Sequence, residues 1–178
     1  TKIYLYGDDI GSVEYVQHMG DDLTIVNAAR VSFGKQKEKL DGRDRKLIRY
    51  LIDHRHTSTL EHNLVTFRFV VPLFVRSQHH RHRTWSYNEI SRRYTDENLR
   101  FYEPVSFRTQ HKSNRQASNA NNKINPVFYL YDDGETSLAS TAVRFHHLNS
   151  LKIYEELMEL GVCREQARGV LPQNMYTE

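Results

Sequence analysis

The sequence predicts a fold that mixes strands with helices. Residues 64–71, LVTFRFVV, combine β-branched and aromatic side chains as a strand does. Residues 42–54 and 137–160 instead repeat apolar side chains at helical spacing between charged positions. No internal repeat and no linker divides the 178 residues, a length that suits one domain and is short for two of ordinary size.

Taken in order, residues 2–6 (KIYLY) alternate like a first strand, ended by the Gly7-Asp8-Asp9 turn. Asp21 and Asp22 are placed to cap a helix running to about Val31, with Leu23, Val26, Ala29 and Arg30 in its turns. In the helix over 42–54, Leu47, Ile48, Leu51 and Ile52 form the apolar stripe. HRHTSTLEHN (54–63) is a polar connector to the strand at 64–71. Pro72, with its fixed φ, fits the first position of a helix LFVRSQHHRH. That helix would bring Arg76, His79, His80 and Arg83 near one another. TWSYNE reads as irregular and ISRRY as extended. Residues 107–126 are rich in Asn, Ser, Gln and Lys with almost nothing to bury, which predicts a mobile or ligand-covering loop. The long helix from about Ser137 to Leu160 offers Val143, Leu148, Leu151, Tyr154, Leu157 and Met158 to a core, with Gly161 as its C-cap. CREQARGVL forms a last short helix closed by Pro172.

Composition narrows the function. Lys+Arg 25 against Asp+Glu 22 leaves a net charge of +3, too mild for a general nucleic-acid binder. The positive charge gathers instead around residues 76–93. A single cysteine, Cys163, excludes an intrachain disulfide and suits a reducing compartment. No run approaches the roughly 18 apolar residues that cross a membrane, and TKIYLYGDD lacks a signal-peptide pattern. The expectation is a soluble, cytoplasmic protein.

The chemistry concentrates in RHRTWSYNEISRRY, residues 81–94, preceded by Gln78, His79 and His80. Arg81, Arg83, Arg92 and Arg93 offer planar forks of donors suited to a phosphate, with a charge that persists at neutral pH. Ser86, Asn88, Glu89 and Ser91 add the mixed donors and acceptors that read the polar edge of a ring. So many polar groups in one stretch must each be hydrated or partnered. Together they describe a site for an anionic, heterocyclic ligand. The same arginines could instead form a solvated or phosphate-tracking face.

Arg81-His82-Arg83, seven residues and then Ser91 match the RHR-x7-S signature of the flavin-dependent thymidylate synthases. The extended form adds Ser86, Asn88, Glu89, Arg93 and Tyr94, so all nine specified positions are met. HTSTLEH (56–62) resembles the family's H-x-[ST]-x-x-E-H block, and ARGVLP its A-R-x-V-L-P block. The resemblance implies an α+β fold, a central antiparallel-type sheet packed by helices, which suits the elements above. It also implies FAD contacts at Ser58, Arg81, His82, Arg83 and Glu89. The nucleotide dUMP is implied at Gln78, His79, His80 and Arg81, at Glu89, Ile90, Ser91, Arg92 and Arg93, and at Arg168.

The implied reaction is reductive methylation of dUMP to dTMP, with 5,10-methylenetetrahydrofolate supplying the carbon and NADPH the electrons through FAD. The flavin carries the redox chemistry and the protein orients and polarises. Cys163 lies in no nucleophile motif, and Ser91, without an adjacent base, is assigned to binding. His82 has the intrinsic pKa of a general acid, but its family position beside the rings needs only stacking and hydrogen bonding. Sites shared within a homotetramer are also implied. The family pattern continues past the LPQNMYT block, so either its C-terminal part, with the uracil-activating arginine, lies beyond Glu178 in a longer protein or the protein lacks those groups. No catalytic residue is therefore assigned within the chain.

Two other classes compete. A nucleic-acid module would place the arginines on phosphates and stack Trp85, Tyr87 and Tyr94 on bases. A metal-dependent phosphohydrolase would use His56, Glu61 and His62, but two histidines six apart do not share one helical turn as metal-binding pairs do. No metal is expected. Neither class accounts for the spacing of Asn88, Glu89, Ser91 and Arg93.

Overall fold

The computed structural model describes residues 1–129 and 134–178. The chain forms two compact units, one from residues 1–5 and 12–69 and one from 6–11 and 70–178.

In the first unit, β1 (Lys2–Tyr4) pairs antiparallel with β2 (Ser12–Met19), Ile3 opposite Val13. The other neighbour of β2 is β3 (Leu64–Pro72), the strand expected from LVTFRFVV. β2 was not anticipated. Its SVEYVQHM mixes polar and apolar residues without clean alternation, because five of its eight positions are exposed and so impose no periodicity. Two helices complete the unit. α1 (Asp22–Arg30) starts at a reciprocal cap in which Asp21 accepts from Thr24 N–H at 2.9 Å while Thr24 Oγ1 accepts from Asp21 N–H. α2 (Gly42–Asp53) is capped by Asp41 in the same way, with Asp44 as its reciprocal partner. Asp44 is wholly covered and receives Arg30 Nη2 at 2.9 Å and the Lys37 ammonium. Of the expected stripe on α2, Leu51 is buried, Leu47 and Ile48 are half-buried, and Ile52 is 54% exposed.

In the second unit, the end of β3 pairs antiparallel with the two-residue β8 (Tyr176–Thr177), Val71 opposite Thr177. α3 (Leu73–His79) follows with Pro72 as its extended cap residue rather than its first helical one. Residues 107–126 correct the loop expectation: β4 (Phe107–Gln110) and β5 (Ser118–Ile124) make an antiparallel ribbon. Polar side chains rather than a buried face tie its turn, since Gln110 Nε2 reaches the carbonyls of Asn114, Arg115 and Ala117 at 3.0–3.2 Å. A second small ribbon pairs β6 (Val127–Tyr129) with β7 (Thr136–Leu138).

α4 (Ala139–Glu159) is the long helix, closed as expected by Gly161 at φ 86. Its buried face is wider than expected: Tyr154 is inside and Val143, Leu151, Leu157 and Met158 are half-buried as expected, Ala139, Ala142, His147 and Ser150 are inside as well, and Leu148 is 54% exposed. Small residues let the neighbouring chain approach closely, and His147 lies flat under Phe101 with ring centroids 4.9 Å apart. Tyr154 joins Ala167, Leu171 and Met175 in the core, with Leu151, Leu157 and Met158 packed against it. α5 (Arg164–Ala167) and a 3-10 turn at Arg168–Val170 form the expected last short helix. Among the described residues, no helix is long and apolar enough to cross a membrane.

Candidate functional site

The signature segment is built between α3 and β8. Pro72 leaves the start of α3 with unpaired N–H groups, and these are taken up locally: Leu73 N–H donates to Met175 O at 2.9 Å and Phe74 N–H to Gln173 O at 3.1 Å. The helix stops at His79, short of the run to Arg83 that helical spacing suggested. Its stop has a visible cause. The Tyr87 hydroxyl lies 2.9 Å from both His79 O and His82 O, giving carbonyls at the helix end a donor from eight and five residues on. The chain therefore turns back on itself between 79 and 87.

Rings line that turn. Tyr87 packs on His80 at 4.4 Å and edge-on to His79 at 5.5 Å, and Trp85 meets His79 at 4.8 Å. Burial, with His82 and His80 adding repulsion, holds the His79 imidazole below its usual pKa and so neutral. Outside this packing, Arg81 and Arg83 are exposed and hold no ion-pair partner among the described residues. Two permanent cations on a pinned turn, free of internal carboxylates, have the charge and geometry that suit an anion.

Glu89 and Ile90 are anchored to β8. Ile90 N–H donates to Glu178 O at 2.9 Å, the Thr177 hydroxyl donates to Glu89 Oε1 at 2.7 Å, and Arg76 Nε lies 3.0 Å from the same oxygen. Beyond Ile90 the segment turns rather than extends: Tyr94 N–H and Thr95 N–H both reach Ser91 O, and Arg93 N–H reaches Ser91 Oγ at 3.3 Å. The serine side chain bonds its own neighbourhood and so competes with a strand.

The four signature arginines divide. Arg92 is 8% exposed and donates through Nη1 to Glu97 O at 2.8 Å, so its guanidinium is committed inside the protein. Arg93 is half exposed, with only a loose ion pair to Glu165 at 3.8 Å. That contact, and Arg164 to Asp96 at 3.1 Å, bring α5 against the end of the signature. Arg168 is exposed at the start of the 3-10 turn that follows α5. Gln78, His82 and Ser91 lie on this same unit, the first two exposed. Ser58 belongs to the first unit, exposed on a 3-10 turn (Thr57–Thr59) beside stacked Tyr50 and His54. Among the described residues no three metal-ligating side chains gather.

Sequence reasoning missed Thr177 and Tyr87 as parts of this site, and it placed Arg76 nearby without giving it a role. No spacing signal reaches from Thr177 to Glu89, 88 positions earlier. Tyr87 lay in plain view inside the signature at a position the pattern leaves open.

The α+β scaffold presents exposed arginines, a held carboxylate and packed rings on one turn. The family follows directly: residues 14–178 match the family model described as "Thymidylate synthase complementing protein", and the chain belongs to the flavin-dependent thymidylate synthase family. A flavin-dependent thymidylate synthase of Thermus thermophilus is 45% identical over 170 residues, 96% of this chain and 58% of that protein. One of Kosmotoga olearia is 41% identical over 168 residues, 94% of this chain and 69% of that protein. The chain thus spans little more than half the length of the Thermus relative. Among solved structures, the UMP/dUMP methylase PolB of Streptomyces cacaoi bound with 5-Br dUMP superposes with a TM-score of 0.74 at 34% identity, over 98% of this chain and 72% of that one.

Proposed function

We propose that the protein containing this chain is a flavin-dependent thymidylate synthase, converting dUMP to dTMP in de novo dTMP biosynthesis. In this reading 5,10-methylenetetrahydrofolate donates the carbon and NADPH the electrons, the protein is cytoplasmic, and a homotetramer shares its sites between subunits. The chain acts as a single functional domain within that assembly. The observation that carries the reading is the complete signature folded onto a pinned turn, with Arg81 and Arg83 exposed and Glu89 held at one oxygen.

The residues present fit both ligands. Arg81, Arg93 and Arg168 remain available to a nucleotide phosphate, while Gln78 and Ser91 suit hydroxyl or amide partners. Arg92 contributes through its backbone and the shape of the turn, because Glu97 O occupies its side chain. Arg81, His82, Arg83 and Glu89 would hold FAD together with Ser58. Bound flavin supplies the hydride-transfer chemistry. The chain's own part is to bind, to orient, and to keep His79 a neutral ring beside the cations.

The test is dTMP formation by the full-length protein from dUMP, methylenetetrahydrofolate and NADPH, with and without FAD. Product that depends on FAD supports the reading. A protein that binds FAD yet forms no dTMP overturns it. A parallel reaction with UMP is worth running, since PolB is described as acting on both nucleotides.

A further inference from the structure

One hydrogen-bond donor and one cation from outside the signature converge on one oxygen of Glu89. Arg76 Nε stands 3.0 Å from Oε1, and the Thr177 hydroxyl donates to it at 2.7 Å. Oε2 accepts no hydrogen bond among the described residues. The last torsion of a glutamate is broad and two-fold, so a carboxylate left in water turns freely. The Thr177 hydrogen bond, with the Arg76 charge beside the same oxygen, restricts that freedom and leaves the other oxygen as a single aimed acceptor.

The arrangement does not depend on a ligand to form. Thr177 is 6% exposed and sits in the β8 ladder opposite Val71, while Ile90 N–H bonds to Glu178 O beside it. The backbone therefore sets the register of 89–90 against 177–178 before the side chains meet. Arg76 comes from α3, whose first N–H groups bond to Gln173 and Met175 on the approach to the same strand. One short strand thus organises both the helix that carries Arg76 and the loop that carries Glu89.

We infer that Arg76 and Thr177 are positioning residues for Glu89, holding it with Oε2 offered to an N–H or O–H donor on the bound nucleotide. The inference rests on the nucleotide-binding reading of the signature. Free glutamate would have to be ordered as the nucleotide arrives, and that entropy would subtract from affinity.

The experiment measures dUMP binding calorimetrically in the FAD-loaded, full-length protein. Its variants are Thr177→Val, Thr177→Ser, Glu89→Gln and the double Thr177→Val/Glu89→Gln. Valine keeps the shape and removes the donor, so the dissociation constant should rise about tenfold. Serine should restore it to within about twofold. The double variant should bind no more weakly than Glu89→Gln alone, because the two residues act as one unit. The Glu89 side-chain carboxyl resonance, followed by NMR without nucleotide, should stay at its wild-type position in Thr177→Ser and move in Thr177→Val. Unchanged affinity in Thr177→Val, or losses that multiply in the double variant, overturns the positioning role. Wild-type protein that binds no dUMP overturns the nucleotide reading itself, and with it the role given to Oε2.

Discussion

Tyr176 donates its hydroxyl proton to Asp8, 168 positions earlier in the chain, and so fastens the Tyr6–Gly11 turn to β8. The other carboxylate oxygen of Asp8 accepts Ile10 N–H and Gly11 N–H, each at 3.0 Å. Tyr6 packs on Tyr102 at 5.0 Å, and a side chain at Gly11 would collide with its ring. Burial alone would raise the Asp8 carboxyl, but the hydrogen bonds outweigh it and hold the pKa below the ordinary 3.8. Burial and Asp8 together push the Tyr176 phenol above its ordinary 10.0. Both shifts favour the observed pairing of ionised Asp8 with neutral Tyr176.

Tyr176→Phe should therefore lower unfolding free energy at pH 7 by about 1–2 kcal/mol. The Asp8 contribution is present above the unfolded carboxyl pKa and is lost as pH falls through the depressed folded one. The variant should accordingly lose less stability than wild type between about pH 5 and pH 3. Urea melts at both pH values decide it, and parallel losses would refute the coupling.

Tyr87→Phe removes the donor that caps the end of α3 while keeping the ring packing. Backbone amides across 79–83 should exchange faster, and global stability should fall by no more than about 1 kcal/mol. Unchanged exchange in that turn would show that ring packing alone holds it.

The arginines should separate into two kinds of variant. Arg81→Ala and Arg93→Ala remove exposed side chains, so stability should stay within about 0.5 kcal/mol while dUMP binding is abolished. Arg92→Ala instead removes a buried side chain and its hydrogen bond to Glu97 O, and should cost about 1–2 kcal/mol of stability. Nucleotide affinity unchanged in both exposed variants would sink the assignment of the site.

Asp44 predicts an acid limit for the first unit. The hydrogen bond from Lys37, then the Asp41 N–H and Arg30, hold its carboxyl down at about 2. A depressed carboxyl stabilises above its unfolded pKa, so this contribution should drain away as pH drops from about 4 towards 2. Asp44→Asn should flatten that limb of a thermal-midpoint-against-pH curve. A variant that keeps the wild-type slope would place the acid sensitivity elsewhere.

What the sequence disclosed follows from how local each cause is. The α1 cap was legible because Asp21 and Thr24 satisfy each other within one turn. β3 was legible because β-branched and aromatic residues crowd one short run. β8 was not, since two residues carry no period and its partners Val71 and Pro72 lie about a hundred positions away. The 107–124 ribbon hid for another reason: Gln110 and Asn119 close it with side-chain amides, and such composition reads equally as loop. On α4, apolarity pointed to Leu148, whereas close packing selected alanine, serine and histidine. Within the site, the arginines were plain from their charge, but nothing in the sequence distinguished buried Arg92 from exposed Arg81.

The partnership of Glu89 with Thr177 also sets a clock. A ribosome working at roughly 5–20 residues per second delivers the second partner some 4–18 s after the first, across the 88 positions between them. Throughout that interval the RHR turn exists without the strand that registers it, its cations already exposed and its carboxylate untethered. Nucleotide binding should thus be a late event in the life of each newly made chain, and a nascent chain halted before Thr177 should carry the signature with weaker affinity than the finished protein.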